Sequence, residues 1–288
     1  MRIAGVLIFI VTVTLQLTHN NSIASEWQNS SILRGETELS GRLIYINGEL
    51  KPRWLWKTGG YTDFHHHISD ISGGKRLTIV APNDILLLAG KSQASFDGGA
   101  AGTGIVPVIQ FITDGVPVSI QWESGSQGKG VITLPIHHSV NDRLLGTLSA
   151  YVQAFGALAW AEYDGFGAKI TQTLGDNTSY PYVFNGGLMG SNTWTTRSGL
   201  EFLSRMTGDE INADILWLQL KEKIPGLSEN PVISNESGYQ DLVGSGWLYS
   251  GGYSLGINSG DTLELFFSSE ITEETMWHSR LTVNIIYA

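Results

Sequence analysis

Short segments in which apolar and polar residues alternate recur along the chain and constrain its fold more than any other feature. The clearest are 77–80, 116–122, 131–136, 145–152 and 263–267, and turns rich in Gly, Asn, Asp and Pro separate them. Successive side chains of a strand point to opposite faces, so each segment has one apolar face to bury. This spacing predicts an all-β fold, an antiparallel sandwich or barrel, rather than βαβ units.

The composition limits what such a fold can do. Hydrophobic residues make up 42% of the 288 residues and charged residues 15%, so the chain can bury a core and is not intrinsically disordered. The net charge is −10 and no run of Lys and Arg occurs, which argues against nucleic acid as a partner. There is no Cys, so packing or assembly has to hold the fold without disulfides.

The first residues are typical of a signal peptide. Arg2 precedes an apolar run from Ile3 to Leu17, and Ser22 and Ala24 place small side chains at the −3 and −1 positions of a cleavage site after Ala24. The run is too short for a membrane-spanning helix, which needs roughly 20 apolar residues. We therefore expect residues 1–24 to be removed and the protein to be exported.

Both ends of the mature chain read as strands. Near the N-terminus the residues between the alternating positions are nearly all polar, and no turn within the segment provides a neighbouring partner strand. From the residues alone, such a terminal strand either completes its own sheet or pairs with another chain. The alternating positions are Leu33, Gly35, Thr37, Leu39, Gly41 and Leu43 at one end, and Leu281, Val283, Ile285 and Tyr287 at the other.

Two short helices are expected in one region of the otherwise all-β chain. Ser198 with Glu201, and Thr207 with Glu210, fit the capping-box pattern at a helix start. The pair Pro225-Gly226 ends the second helix. The region is either a structural crossover or an inserted subdomain that carries specificity.

Aromatic residues in the same region suggest a candidate receptor-binding site. Aromatic faces stack on sugar rings while polar neighbours bind the hydroxyls. The alternative is that these residues form a small core of the region itself. The candidates, which lie among Asn, Ser, Thr and Gly, are Tyr180, Tyr182, Phe184 and Trp194.

The chain offers no convincing catalytic, metal or cofactor motif. The histidines at 65–67 and 137–138 lack Cys ligands and an H-E-x-x-H pattern, so we expect no metal site. The loop 125–130 has Gly after its Lys, unlike a phosphate-binding loop. We expect no catalytic residues and no cofactor, and we expect the protein not to be an enzyme.

Several ordered segments resemble one known family. Arg53-Trp-Leu-Trp-Lys-Thr-Gly59 is similar to the Lys-Trp-Glu-Trp-Lys-Val-Gly of the FaeG-like fimbrial subunits of enterobacteria. The similarity continues in sequence order over most of the mature chain. The further segments are 73–79, 85–91, 129–130, 134–135, 146–155, 253–260, Trp277 and 281–285.

The resemblance implies a fold and a mode of assembly. Subunits of this family have an incomplete immunoglobulin-like β-sandwich, the pilin type, which lacks its final strand. A periplasmic chaperone fills the groove, and at the outer-membrane usher the N-terminal extension of another fimbrial subunit replaces it. The resemblance implies a surface fimbrium, residues 25–45 as the donor strand that carries Leu33 to Leu43, and residues 46–288 as the pilin domain.

The resemblance also assigns roles within that domain. The strand with Leu281, Val283, Ile285 and Tyr287 is expected to line the acceptor groove and to be read by the chaperone. Residues 163–235, which hold both helices, correspond to an inserted subdomain that contributes to attachment to host glycans.

The alternative is a secreted β-sandwich, either a carbohydrate-active enzyme or a lectin, that does not polymerise. Strand donation would be contradicted if residues 33–43 completed the sheet of their own chain and left a sealed, self-sufficient body.

Overall fold

The computed structural model describes residues 32–44, 53–59, 61–99, 105–175 and 182–287, and of residues 32–44 it describes the backbone. The expected signal peptide lies outside the described residues. The helices are α1 (Thr196–Thr207) and α2 (Ala213–Lys221). The strands are β1 (Ile32–Ile44), β2 (Trp54–Thr58), β3 (Tyr61–His67), β4 (Arg76–Val80), β5 (Ile85–Ser92), β6 (Phe96–Asp97), β7 (Pro107–Thr113), β8 (Val116–Val118), β9 (Gln121–Trp122), β10 (Lys129–His138), β11 (Leu144–Glu162), β12 (Lys169–Thr173), β13 (Ile233–Gly238), β14 (Trp247–Ile257), β15 (Thr262–Phe267) and β16 (Met276–Tyr287).

The long strand β11 connects the two layers of the fold. Its first half pairs with β10 and β15, and its second half pairs with β14 and β12. One layer has the order β4-β15-β11-β10-β16-β1-β3, and the other has the order β2-β5-β14-β11-β12-β13. The expected all-β sandwich with two short helices is confirmed.

The main core lies between the layers and follows from the alternation in the sequence. In β4 every second residue is buried, and β10 and β16 show the same pattern over most of their length. Aromatic side chains fill the centre, where the ring centroids of Trp54 and Phe184 are 5.1 Å apart in an edge-on contact.

The two helices exist, but both begin at residues other than the predicted caps. Thr195 caps α1, with its Oγ1 accepting a hydrogen bond of 3.1 Å from the Ser198 amide. Asn212 caps α2, and the predicted cap Thr207 is the last residue of α1. The earlier start of α1 is fixed by Thr196, whose hydroxyl donates to the Ser234 carbonyl at 2.6 Å. Neither helix has the length and apolarity that a bilayer crossing requires.

A second core lies between the helices and the outer face of β11 and β14. Ala157, Ala159 and Ala161 form a smooth strip on β11. At Gly199 of α1 an added Cβ would lie 2.1 Å from the ring of Phe155, so the helix backbone rests directly on that ring. The two helices are therefore packed onto the sheet by close side-chain contacts.

Candidate functional site

Strand β1 lies between β16 and β3. It runs parallel to β16 and antiparallel to β3. The predicted donor positions fall in register with alternate residues of β16, and Leu33 is in register with His66 of β3. The β16 pairs are Gly35 with Trp277, Thr37 with Ser279, Leu39 with Leu281, Gly41 with Val283 and Leu43 with Ile285.

The predicted acceptor residues form one buried row along β16. Leu281, Val283, Ile285 and Tyr287 are all nearly inaccessible to solvent. The row is anchored at its end, because the indole Nε1 of Trp56 donates a hydrogen bond of 2.8 Å to the Tyr287 hydroxyl. The side chains that the sequence assigned to this groove are thus together, beside β1. We call β1, β16 and β3 the strand seam.

The strand seam bears on the hypothesis of strand donation. In the single chain β1 lies in its own sheet. This is the first of the two observations that together would contradict strand donation. The second part, a self-sufficient body, is a property of stability that an experiment has to measure. The direction of β1 matters here: of the ladders between described strands, only β1–β16 and β12–β13 are parallel.

The candidate receptor residues do not form one surface. Phe184 has an exposed fraction of 0% and packs on Tyr253, while Trp194 is 8% exposed and packs against Phe202. Phe184 belongs to the main core rather than to a core of the region itself, and Trp194 belongs to the core beneath the helices. We do not propose either as a receptor contact. Tyr182 is half-buried beside Tyr239. Tyr180 lies outside the described residues.

A different group of aromatic residues faces solvent where β11 ends and β14 begins. The rings of Trp160 and Trp247 meet edge-on at 4.9 Å, and both are partly exposed. The following loop adds Tyr163, which is 54% exposed, and Phe166, which is 72% exposed. We call these four residues the aromatic surface.

Polar groups border the aromatic surface. The Lys169 ammonium lies 4.8 Å from the centre of a Trp160 ring and 2.6 Å from the Glu236 carboxylate, and the bond to Lys169 lowers the pKa of Glu236. The Tyr163 hydroxyl donates a hydrogen bond to the Asp97 carboxylate, which raises the pKa of Tyr163. Aromatic faces beside charged and hydroxyl groups can bind sugar rings and their hydroxyls.

The histidines occupy two separate places. His66 lies in β3 with its ring nitrogen 3.8 Å from Asp70, and burial lowers its pKa. His137 lies in β10, stacked on His278 of β16, with Nε2 2.8 Å from Asp114. Among the described residues no group of three or more His, Asp or Glu has an arrangement suited to a metal ion.

Sequence reasoning missed the aromatic surface because Trp247 is far along the chain from the other three members, which lie between residues 160 and 166. Trp160 and Trp247 belong to strands with largely buried flanks, and only the pairing of β11 with β14 brings the residues together. One signal was present. Tyr163 and Phe166 surround Asp164-Gly165, a turn sequence in which bulky aromatic residues have no core to enter.

Comparison with known proteins identifies the family of the chain. A family model described as "Fimbrial, major and minor subunit" matches residues 9–288. K88 fimbrial protein AC of Escherichia coli is 23% identical over 297 residues, covering 96% of this chain and 98% of that protein. F41 fimbrial protein of Escherichia coli is 26% identical over 262 residues, covering 85% of this chain and 88% of that protein. The chain belongs to this family of FaeG-like, K88-type fimbrial subunits.

Proposed function

We propose that this structural subunit of a fimbria polymerises by strand exchange, in which β1 leaves its own seam and enters the seam of another subunit. A periplasmic chaperone holds the vacated groove, and an outer-membrane usher directs the exchange. The fimbria is an exported surface appendage, so this route also accounts for the expected signal peptide.

The strand seam supports exchange because β1 contributes an entire edge partner. Without β1, the backbone of β16 and β3 loses a row of hydrogen bonds, and the buried row from Trp277 to Tyr287 loses its cover. An open edge next to uncovered apolar residues associates with any strand of suitable pattern. A body in that state requires a partner, which is the role proposed for the chaperone and for the neighbouring subunit.

The direction of β1 favours replacement. Parallel ladders are slightly less stable per residue than antiparallel ones. The longer ladder of β1 is the parallel one with β16, and the shorter is the antiparallel one with β3. A strand that entered from another subunit in the reverse direction would make the longer ladder antiparallel. Self-pairing is then the weaker arrangement, and the polymer is favoured.

A reversible lock tests whether β1 has to leave. Leu39 and Leu281 are in register on adjacent strands, and the chain has no native Cys. Replacing both by Cys permits a disulfide that holds β1 in its own seam. Oxidised cells should carry no fimbriae by electron microscopy, and reductant should restore them. The single variant Leu39→Cys is the control, and fimbriae built from the locked chain would contradict the proposal.

We also propose that the subunit contributes to attachment to host glycans through the aromatic surface. Four exposed or partly exposed aromatic side chains with a lysine, a tyrosine hydroxyl and carboxylates at their border support this. Glycan stacking gives such residues a role that core packing does not.

Matched surface variants test attachment. Phe166→Ser and Val140→Ser remove apolar side chains that are both 72% exposed, on different parts of the protein. Fimbriae with Phe166→Ser should lose binding to a glycan array and to epithelial cells, while Val140→Ser should bind normally. Equal binding by both would refute the role of the aromatic surface and leave strand exchange untouched.

A further inference from the structure

A small pocket lies between the edge of the second layer and the connection of the two helices. Its volume is about 220 Å³, and β2, β5 and residues 207–211 line it. The walls are largely apolar and are formed by Leu55, Ala89 and Ile211. None of its lining residues belongs to the aromatic surface, and one of them, Trp56, also bonds Tyr287 at the end of the buried row of β16.

The strand pattern explains which side chains reach the pocket. In the ladder of β2 with β5, Leu55 is in register with Lys91 and Lys57 with Ala89, so these four residues share the outer face. Trp56 between them turns inward to Tyr287.

The opposite wall is held in place by the end of α1. Thr207 Oγ1 donates to the Leu203 carbonyl at 2.8 Å and accepts from the Ile211 amide at 3.2 Å. These bonds fix Ile211, which is buried, on the pocket wall. The pocket is thus bounded on both sides by ordered elements.

Two lysines and one carboxylate lie at the pocket. Lys57 Nζ is 2.7 Å from Glu210 Oε1, whereas Lys91 Nζ is 3.4 Å from the Glu210 main-chain oxygen. The bond with Lys57 and the charge of Lys91 lower the pKa of Glu210. Two ammonium groups and one carboxylate leave a local excess of positive charge, in a chain whose net charge is −10.

We propose that this pocket binds a small monocarboxylate with a compact apolar body. The body would contact Leu55, Ala89 and Ile211, and the carboxylate would accept a hydrogen bond from Lys91. An ammonium beside apolar walls attracts an anion more strongly than one in bulk water. The volume is below that of pockets for drug-sized ligands, so a single ring fits better than an oligosaccharide.

Glu210 gives the proposal a distinctive property. Its carboxylate already forms an ion pair with Lys57, so it competes with the ligand for the positive charge of the pocket. Removing this carboxylate should strengthen binding, and removing the Lys91 ammonium should weaken it. A general effect of surface charge would change the affinity with the same two signs, so a lysine removed elsewhere on the protein has to serve as the control.

The test is a titration of the mature chain, with β1 present, followed by amide NMR shifts. Cyclohexanecarboxylate is the probe, and cyclohexanecarboxamide is the neutral probe of the same shape. The acid should cause saturable shifts at Ala89, Gly90 and Ile211, and the amide should not. Equal shifts by both probes, or no saturable shift with the acid, would overturn the proposal.

Variants then identify the groups. Lys91→Met should lower the affinity by about tenfold, as expected for a lost hydrogen bond to a charged group. Glu210→Gln should raise it several-fold. Lys129→Gln, an exposed change on β10, is the control and should leave the affinity unchanged. Unchanged affinity in Lys91→Met, or weaker binding in Glu210→Gln, with unchanged melting temperatures, would contradict the assignment.

Discussion

The buried row of β16 in the strand seam and the helix-covered face of β11 are both inaccessible to solvent, but they are held in different ways. In the seam, β1 is connected to β16 and β3 through backbone ladders, which any strand with the right alternation can form. On the helical face, α1 rests on Phe155 through the missing side chain of Gly199. The first kind of contact permits exchange of one strand for another, and the second fixes one particular partner. Substitutions in the two regions should therefore affect assembly and stability differently.

The largest effect is expected in the acceptor row. Val283→Asp places a carboxylate where the side chain is 1% exposed, which should destabilise the body by about 4 kcal/mol or more. Urea unfolding should show the loss, and a chaperone pull-down should lose the subunit. Val140→Asp, on the surface, should change neither. A normally assembled Val283→Asp subunit would mean that β16 does not line the groove.

A large effect confined to stability is expected at the helical face. Gly199→Val forces a side chain into the Phe155 ring, at a cost of about 3 kcal/mol. Gly226→Val in the same segment meets no neighbouring atom within 4 Å and is the control. Both variants should retain the ability to exchange β1, because the seam is unchanged. Loss of exchange in Gly199→Val at a temperature where it is folded would show that the two regions are coupled.

A smaller effect is expected from the exchanged strand. Leu39 lies on the face of β1 that is aligned with the buried row of β16, and a strand keeps that face in either direction, so Leu39→Ala should weaken the insertion of β1 by about 2 kcal/mol. Fimbriae of this variant should dissociate at a lower temperature in denaturing buffer. Glu38→Ala, at the neighbouring position, should dissociate like the wild type. If Glu38→Ala fimbriae dissociated at a lower temperature than Leu39→Ala fimbriae, the opposite face of β1 would have to lie in the groove.

The smallest effect is a pH dependence where β10 meets β16. Burial lowers the pKa of His137, but hydrogen bonds to the Asp142 carbonyl and to Asp114 outweigh this and raise it. The added stability is therefore complete below the unfolded pKa of about 6.5 and is lost as the pH rises through the higher folded value. This contribution of protonated His137 to the free energy of unfolding should be about 0.5 kcal/mol.

The variant His137→Gln checks this effect. Its melting temperature should fall below that of the wild type at acidic pH, and the two should converge at alkaline pH. Asp114→Asn should reduce the same difference. A difference in melting temperature between the wild type and His137→Gln that grows as the pH rises would contradict a raised pKa of His137.

The sequence predicted two of the three strands of the seam, β1 and β16, because a period of two is visible residue by residue in both, but it did not predict β3. The row from Leu281 to Tyr287 and the strand around Leu39 were both found from alternation alone. The direction of β1 could not be predicted, since alternation reads the same for parallel and antiparallel neighbours. The predicted helix caps were wrong for a related reason. Thr195, Ser198 and Thr207 all carry a hydroxyl that could cap a helix, and the hydrogen bond of Thr196 to Ser234 selects Thr195 as the cap of α1.

The aromatic residues were harder to assign, because polarity of the neighbours does not distinguish a core from a surface. Phe184 lies among polar residues in the sequence, yet it enters the main core beside Trp54. Trp160 lies in an apolar strand, yet its ring is partly exposed beside Trp247. The pairing of distant strands decides both cases.

The shared strand β11 has a mechanical consequence for a fimbria. Its 19 residues extend over about 60 Å at roughly 3.3 Å per residue. Tension that reaches a subunit at β16 passes through β10 into β11 and so spreads to both layers and the helices. Where subunits are joined by the strand exchange proposed above, we expect a pulled subunit to yield by release of the inserted strand while its own body remains intact. A filament in flow would then break between subunits and not within them.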